Sequence, residues 1–275
     1  MLPSNIQWFF PSKSSEAIRL IRKKGFILHA GGTKILEPEP RGSVKALVDI
    51  SGLGLDYIRA AGSTVRIGAG STFADIVEFC RTKEKLILLR DCLSHAASNP
   101  LRNRITVGGS LNAFPMWSNL YAPLLALDAS VEIVGARSGI YPLEQYADSN
   151  IIGSKHLIKE VRVAETKGVI TAARTFRILR FEYPIFTIAA ALGIKKQTVR
   201  SARIFVTGVR RKFARLVSVE KMLVNNSLTD ELIVKACDRA SMEFVQDYRF
   251  SPAYKERIAR LYLSEILREI GGAGK

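Results

Sequence analysis

Two glycine pairs are the residues of this chain whose type and spacing could do chemistry. The first lies in Leu28-His29-Ala30-Gly31-Gly32-Thr33-Lys34-Ile35, where the run FILHA reads as a strand feeding straight into Gly31-Gly32. Glycines let a backbone turn tightly and bring amide N–H groups together with no Cβ in the way. Such a concave set of donors can cradle a diphosphate. Thr33 adds a hydroxyl and Lys34 a cation. The second pair lies in Thr106-Val107-Gly108-Gly109-Ser110, a loop-like stretch with hydroxyl side chains on both flanks and enough apolar character to be buried. Either pair alone is also what a ligand-free turn at a strand end looks like. A third candidate, Gly68-Ala69-Gly70, lacks the third glycine of the dinucleotide fingerprint and reads as a plain strand-to-helix turn.

Little else in the chain competes with these loops. The three cysteines, Cys80, Cys92 and Cys237, form no CxxC and read as inert, buried or half-buried thiols rather than a disulfide frame or a metal cluster. His95 and His156 read as ordinary surface or hydrogen-bonded residues. In DYRFSPAYK, Asp247, Arg249 and Ser251 read as helix capping with a local ion pair.

The elements around the glycine pairs follow from periodicity and punctuation. Residues 6–10 form a strand, and a helix starts near Ser14 or Ser15, burying Ala17, Ile18 and Ile21. FILHA, ALVDI (46–50) and TVRIG (64–68) are strands, with EPEPRG as a loop between the first two. Ser71 or Thr72 caps the helix FADIVEFCRTKEK, and Asp75 stands at the offset for a reciprocal capping contact. Beyond Leu86 regularity is lost until TVGGSLNAF. A short helix around NLYAPLLAL and a strand over 130–134 follow. HLIKEVRVA and VITAARTFRIL are further strands, and the apolar run FTIAAAL precedes a strand ARIFVTGV. The last 60 or so residues are helical, one helix capped by Ser227 or Thr229, another starting at Ser251-Pro252 with the stripe Ile258, Leu261, Leu263, Ile266, Leu267, Ile270. The fold class is α+β, with a boundary expected near residues 165–175.

With 275 residues and 47% apolar composition the chain can build real cores. No apolar run approaches a membrane span and no signal peptide is read at the start, so a cytoplasmic protein is expected. The formal net charge of +16, from 41 basic and 25 acidic residues, favours an anionic partner. The only dense basic cluster is VRRKFAR, and neither a reading helix nor an aromatic-lined sheet accompanies it, so nucleic-acid binding is not expected.

HAGGTKIL, DISGLGLDYI, VRIGAGSTFADI, PLRNRITVGGSLNAFPMWSNLYAPLLALDASVEI and DYRFSPAYKERI occur in this order. Together they resemble the FAD-binding medium subunit of the molybdenum hydroxylases, the group of xanthine dehydrogenase, carbon monoxide dehydrogenase and aldehyde oxidoreductase. The resemblance implies an FAD-binding domain over 1–170, of two α+β subdomains (about 1–60 and 61–170), and a C-terminal domain of antiparallel sheet plus helices over 171–275. It implies FAD as the cofactor, with a shell of Leu28 through Ile35, Ala96, Thr106 through Ser110, Asn119, Ile158 and Arg177. Ser110 stands where the family usually has Asn, Asn119 where Asp is usual, Lys34 where Asp or Ser is common, Arg177 where Lys is common and Pro184 where Asp is common. By the same resemblance, molybdopterin and iron–sulfur clusters sit on partner subunits, a large and a small one. The chain then relays electrons to an acceptor such as NAD or a quinone. No catalytic side chain and no metal ligand is assigned to this chain. A flavin-free structural subunit, a stand-alone FAD oxidoreductase and a charge-driven nucleic-acid binder are the competing readings.

Overall fold

The computed structural model describes residues 6–34, 44–81, 86–113, 115–149, 151–152, 155–165 and 168–273. Ile35, all of the EPEPRG loop and the last four residues of FADIVEFCRTKEK lie outside them. The fold is α+β, as the sequence implies. The chain divides into two compact units: Met1–Phe79 with Ser98–Ala113 and Ala129–Ala164, and Cys80–Ala97 with Phe114–Asp128 and Glu165–Lys275.

The first unit holds two sheets. β1 (Gln7–Phe9), β2 (Phe26–His29) and β3 (Ala46–Asp49) are parallel, in the order β1-β3-β2. All four residues of the central β3 are buried, which is why ALVDI reads as a solid apolar run instead of an alternation. The helix Ser14–Ile21 buries Ala17, Ile18, Leu20 and Ile21. The second sheet is antiparallel throughout. It arranges β4 (Ile58–Ala61), β5 (Thr64–Gly68), β6 (Ser130–Gly135), β7 (Gly139–Pro142) and β8 (His156–Ala164) as β4-β5-β8-β6-β7. The helix Phe73–Arg81 begins at the expected reciprocal contact: the Thr72 amide donates to Asp75 Oδ2 at 2.8 Å, and the Asp75 amide to Thr72 Oγ1 at 3.2 Å.

The second unit is a four-stranded antiparallel sheet with helices on it. β9 (Val169–Phe176), β10 (Phe186–Lys195), β11 (Thr198–Val209) and β12 (Lys212–Arg215) lie in the order β12-β11-β10-β9. Phe186, Ile188, Ala190 and Leu192 of β10 join Ile204 and Val206 of β11 in a core closed by the helices Val217–Leu223, Asp230–Asp238 and Pro252–Ala273. The helix Tyr121–Ala126 packs against the same two strands. FTIAAAL is therefore itself a strand, buried along its whole length, and a short run buried at every position carries no alternation to tell strand from helix.

Two further elements differ from expectation. Residues Ile87–Ser94 form a helix whose N-cap position, Leu86, makes no side-chain cap bond, so no start signal marks it. TVGGSLNA is not an open loop, because Val107–Ala113 is helical. On the last helix Ile258 is half-buried and Leu263, Ile266, Leu267 and Ile270 are buried, but Leu261 falls off the stripe and is 51% exposed. All three cysteines are free and buried. Burial pushes the thiols of Cys80 and Cys92 up to about 12 and that of Cys237 to about 11, far from nucleophilic use at neutral pH. Among the described residues no helix is long and apolar enough to cross a membrane, and no cluster of His, Cys, Asp and Glu could hold a metal.

Candidate functional site

The first glycine pair sits where β2 ends. The Ile50 amide donates to His29 O at 3.0 Å, which closes the sheet, and the chain then bends through Ala30 to Thr33. At Gly31 the backbone meets Arg104 so closely that a Cβ would stand 1.5 Å from the Arg104 carbonyl oxygen. The same arginine donates from Nε to Gly31 O at 3.0 Å. Only glycine fits there. Gly32 follows with φ +76°, a left-handed conformation that disfavours any side chain. Residues 28–34 are all half-buried. Among the described residues, the amides of Gly31, Gly32 and Thr33 meet no acceptor. Three unpaired donors in a half-buried turn, with a guanidinium against it, are a set that anionic oxygens could engage.

His29 is fixed beside this turn. Its Nδ1 lies 2.7 Å from Asp49 Oδ2, and the other carboxylate oxygen of Asp49 accepts the Ser51 amide at 2.8 Å. Burial works against the Asp49 carboxylate, but the hydrogen bonds from Ser51 and His29 outweigh it and hold its pKa below the ordinary value.

The second glycine pair is differently built. The Val107 amide donates to Ser71 O at 3.0 Å, that of Gly108 to Ala69 O at 2.9 Å and that of Ser110 to Thr106 O at 2.9 Å. The Gly109 amide is taken by Thr106 Oγ1 at 3.2 Å. These donors are already paired, so this bend offers close-packed backbone and an exposed Gly109 instead of an open nest. The two pairs are nevertheless neighbours, because Arg104, which grips Gly31, stands two residues before Thr106.

The remaining shell residues sit as follows. Ile158 is buried in β8 opposite Ile133 of β6. In the second unit, Ala96 is buried just beyond the helix Ile87–Ser94. Arg177 donates to the main-chain carbonyls of His95 and, at 3.2 Å, of Arg180, so its guanidinium pins backbone within that unit. Burial lowers its pKa. Asn119 lies in the turn ahead of the helix Tyr121–Ala126, which Ser118 Oγ caps by accepting the amides of Leu120 and Tyr121 at 3.1 and 3.3 Å. The buried Asn119 Nδ2 has no hydrogen-bond partner among the described residues.

Asp49 and Arg104 are the site residues that sequence reasoning passed over. DYRFSPAYK is structural: Lys255 pairs with Asp247, Arg249 with Glu182 at 2.9 Å, and Ser251 Oγ accepts the Tyr254 amide at 3.2 Å.

In the first unit, a half-buried glycine turn with spare amides suits a phosphate-bearing cofactor. The comparisons with known proteins say which. Residues 4–165 match the FAD binding domain in molybdopterin dehydrogenase, and residues 174–270 match the CO dehydrogenase flavoprotein C-terminal domain. The uncharacterized protein YgfM of Escherichia coli (strain K12) is 26% identical over 98% of both chains. The carbon monoxide dehydrogenase medium chain of Hydrogenophaga pseudoflava is 24% identical over 94% of both. Among solved structures, the carbon monoxide dehydrogenase from the same organism lacking the Mo-pyranopterin moiety of its cofactor shares the fold, with a TM-score of 0.90 over 98% of each chain at 24% identity. The chain belongs to the family of FAD-binding medium subunits of the molybdopterin-dependent dehydrogenases, and is an oxidoreductase flavoprotein subunit.

Proposed function

We propose that this chain holds the diphosphate of FAD at the Gly31–Thr33 turn and serves as the electron relay of a multi-subunit dehydrogenase. In this reading a small subunit with iron–sulfur clusters supplies the electrons, a large subunit carries the molybdenum cofactor, and a soluble carrier such as NAD or a quinone accepts them. The observation that carries the reading is the trio of unpaired amides in a turn that only glycine can form. The relatives support it at the level of assembly, since the Hydrogenophaga pseudoflava protein is named a medium chain.

When bound, FAD supplies the redox chemistry, exchanging electrons both in pairs and singly. This chain's residues bind and orient it. The Gly31, Gly32 and Thr33 amides would donate to the diphosphate, and Arg104, held by the Gly31 carbonyl, would set a positive charge beside it. The second bend adds shape, because its own amides are paired. Within the second unit, Asn119 has a spare buried donor for a cofactor oxygen. The first 170 or so residues are assigned as the cofactor domain and the rest as the flavoprotein C-terminal domain.

The test is to purify the complex with its partners and reduce it anaerobically. Reduction of the clusters should bleach the flavin absorbance, and adding NAD⁺ or a quinone should restore it, which identifies the acceptor. A flavin that stays oxidised while the clusters are reduced would contradict the relay.

A further inference from the structure

We propose that His29, held in place by Asp49, is a protonation-dependent contact to the diphosphate, so that FAD binds more tightly as the imidazole takes on charge. This rests on the reading that the Gly31–Thr33 turn holds that diphosphate.

His29 and Asp49 end adjacent parallel strands and are register partners, which brings Nδ1 within 2.7 Å of the carboxylate. Asp49 is buried and also holds the Ser51 amide, so it is ionised throughout the neutral range and Nδ1 must carry a proton to donate to it. The other ring nitrogen is then fixed in place. Nε2 lies 2.9 Å from the point a Cβ of Gly32 would occupy, so it faces the space that the missing side chain leaves over the turn. Trp8 packs edge-on to the ring, with centroids 4.9 Å apart at 74°.

In this frame the neutral ring can show only a lone pair to the turn, which repels a phosphate oxygen. The protonated ring shows an N–H and a positive charge, and donates to that oxygen. The charged groups around the ring are Asp49 from β3 and Arg104, whose Nη2 is 3.7 Å from the same point over Gly32. Lys34 lies further along the same loop, and Trp8 from β1 is uncharged. A bound diphosphate would add negative charge beside the ring, and the protonated ring would attract it more strongly. Proton and FAD therefore help each other bind by the same factor.

The full-length chain, stripped of flavin, would be titrated with FAD by fluorescence between about pH 8 and about pH 6, a range in which imidazole titrates while the diphosphate keeps its charge. We expect roughly tenfold tightening on acidification, the size of one charge-assisted hydrogen bond. His29→Asn keeps a donor to Asp49 and removes Nε2, and should still bind FAD with a flat profile. A flat profile for the unaltered chain, or an unchanged slope in His29→Asn, overturns the role of His29. A chain that binds no FAD at any pH instead removes the cofactor reading on which it rests.

Discussion

Asn119 has a buried side-chain nitrogen with no partner among the described residues, while its neighbour Ser118 is fully used as a helix cap. Leaving such a donor unsatisfied costs about 1–3 kcal/mol, and a fold keeps that cost only where something else repays it. A cofactor oxygen would do so. Asn119→Ala is therefore expected to weaken FAD binding about tenfold, roughly one neutral hydrogen bond, while leaving the melting temperature of the flavin-free chain unchanged or raised. Fluorescence titration and thermal melts separate the two effects; an equal loss of melting temperature with no change in affinity would make Asn119 structural. Residues of this kind were legible only in part. The glycine pairs declare themselves because glycine is chosen for backbone reasons that local sequence shows. Asp49 does not, because its meeting with His29 depends on how β2 and β3 align. Arg104 reaches Gly31 across 73 positions, and no local signal spans that distance.

Strands and helices depend on similar long-range pairings. Glu160 of β8 is fully buried, yet it accepts Arg66 Nε at 2.8 Å, Arg162 Nε at 2.7 Å and Tyr57 Oη at 2.5 Å. Burial opposes its ionisation, but these donors win and hold its carboxyl at about 2, while burial and Glu160 push the Tyr57 hydroxyl up to about 12. A carboxyl whose folded pKa lies below its unfolded value stabilises the fold above the unfolded value. That contribution is lost as the pH falls from about 4.5 through about 2. Glu160→Gln is expected to cost about 2 kcal/mol at neutral pH, allowing for the water that screens the half-exposed Arg66, and to flatten the acid limb of the stability curve. Denaturant melts across that window check both, and an unchanged acid limb would contradict the coupling. Elements were legible where their own residues carry the signal, as at the Thr72–Asp75 capping contact. They were not where tertiary burial decides: the FTIAAAL stretch of β10 is buried at every position, and the helix Ile87–Ser94 starts without a cap. Likewise TVGG became a helix start because Ser71 and Ala69 accept its first amides.

On the scale of the whole chain, the net charge of +16 favours an anionic partner, which in the proposed complex would be an acidic face of another subunit. Assembly with the partner subunits should then weaken at least tenfold between about 0.05 M and about 0.5 M salt, as screening shortens the reach of exposed charges. Salt-independent association, measured by interferometry or sedimentation, would mean that the charge serves another purpose. The claim on which the rest depends is that the first glycine turn holds the flavin's diphosphate, and Gly31→Ala tests it most directly, because a Cβ there would stand 1.5 Å from the Arg104 carbonyl oxygen. FAD binding should be measured by fluorescence titration on the unaltered chain and on the variant, with circular dichroism confirming that both are folded. One FAD per unaltered chain is expected, with at least a hundredfold loss of affinity, on the order of 3 kcal/mol, in a variant that still folds. A folded Gly31→Ala variant that binds FAD as tightly as the unaltered chain would contradict it.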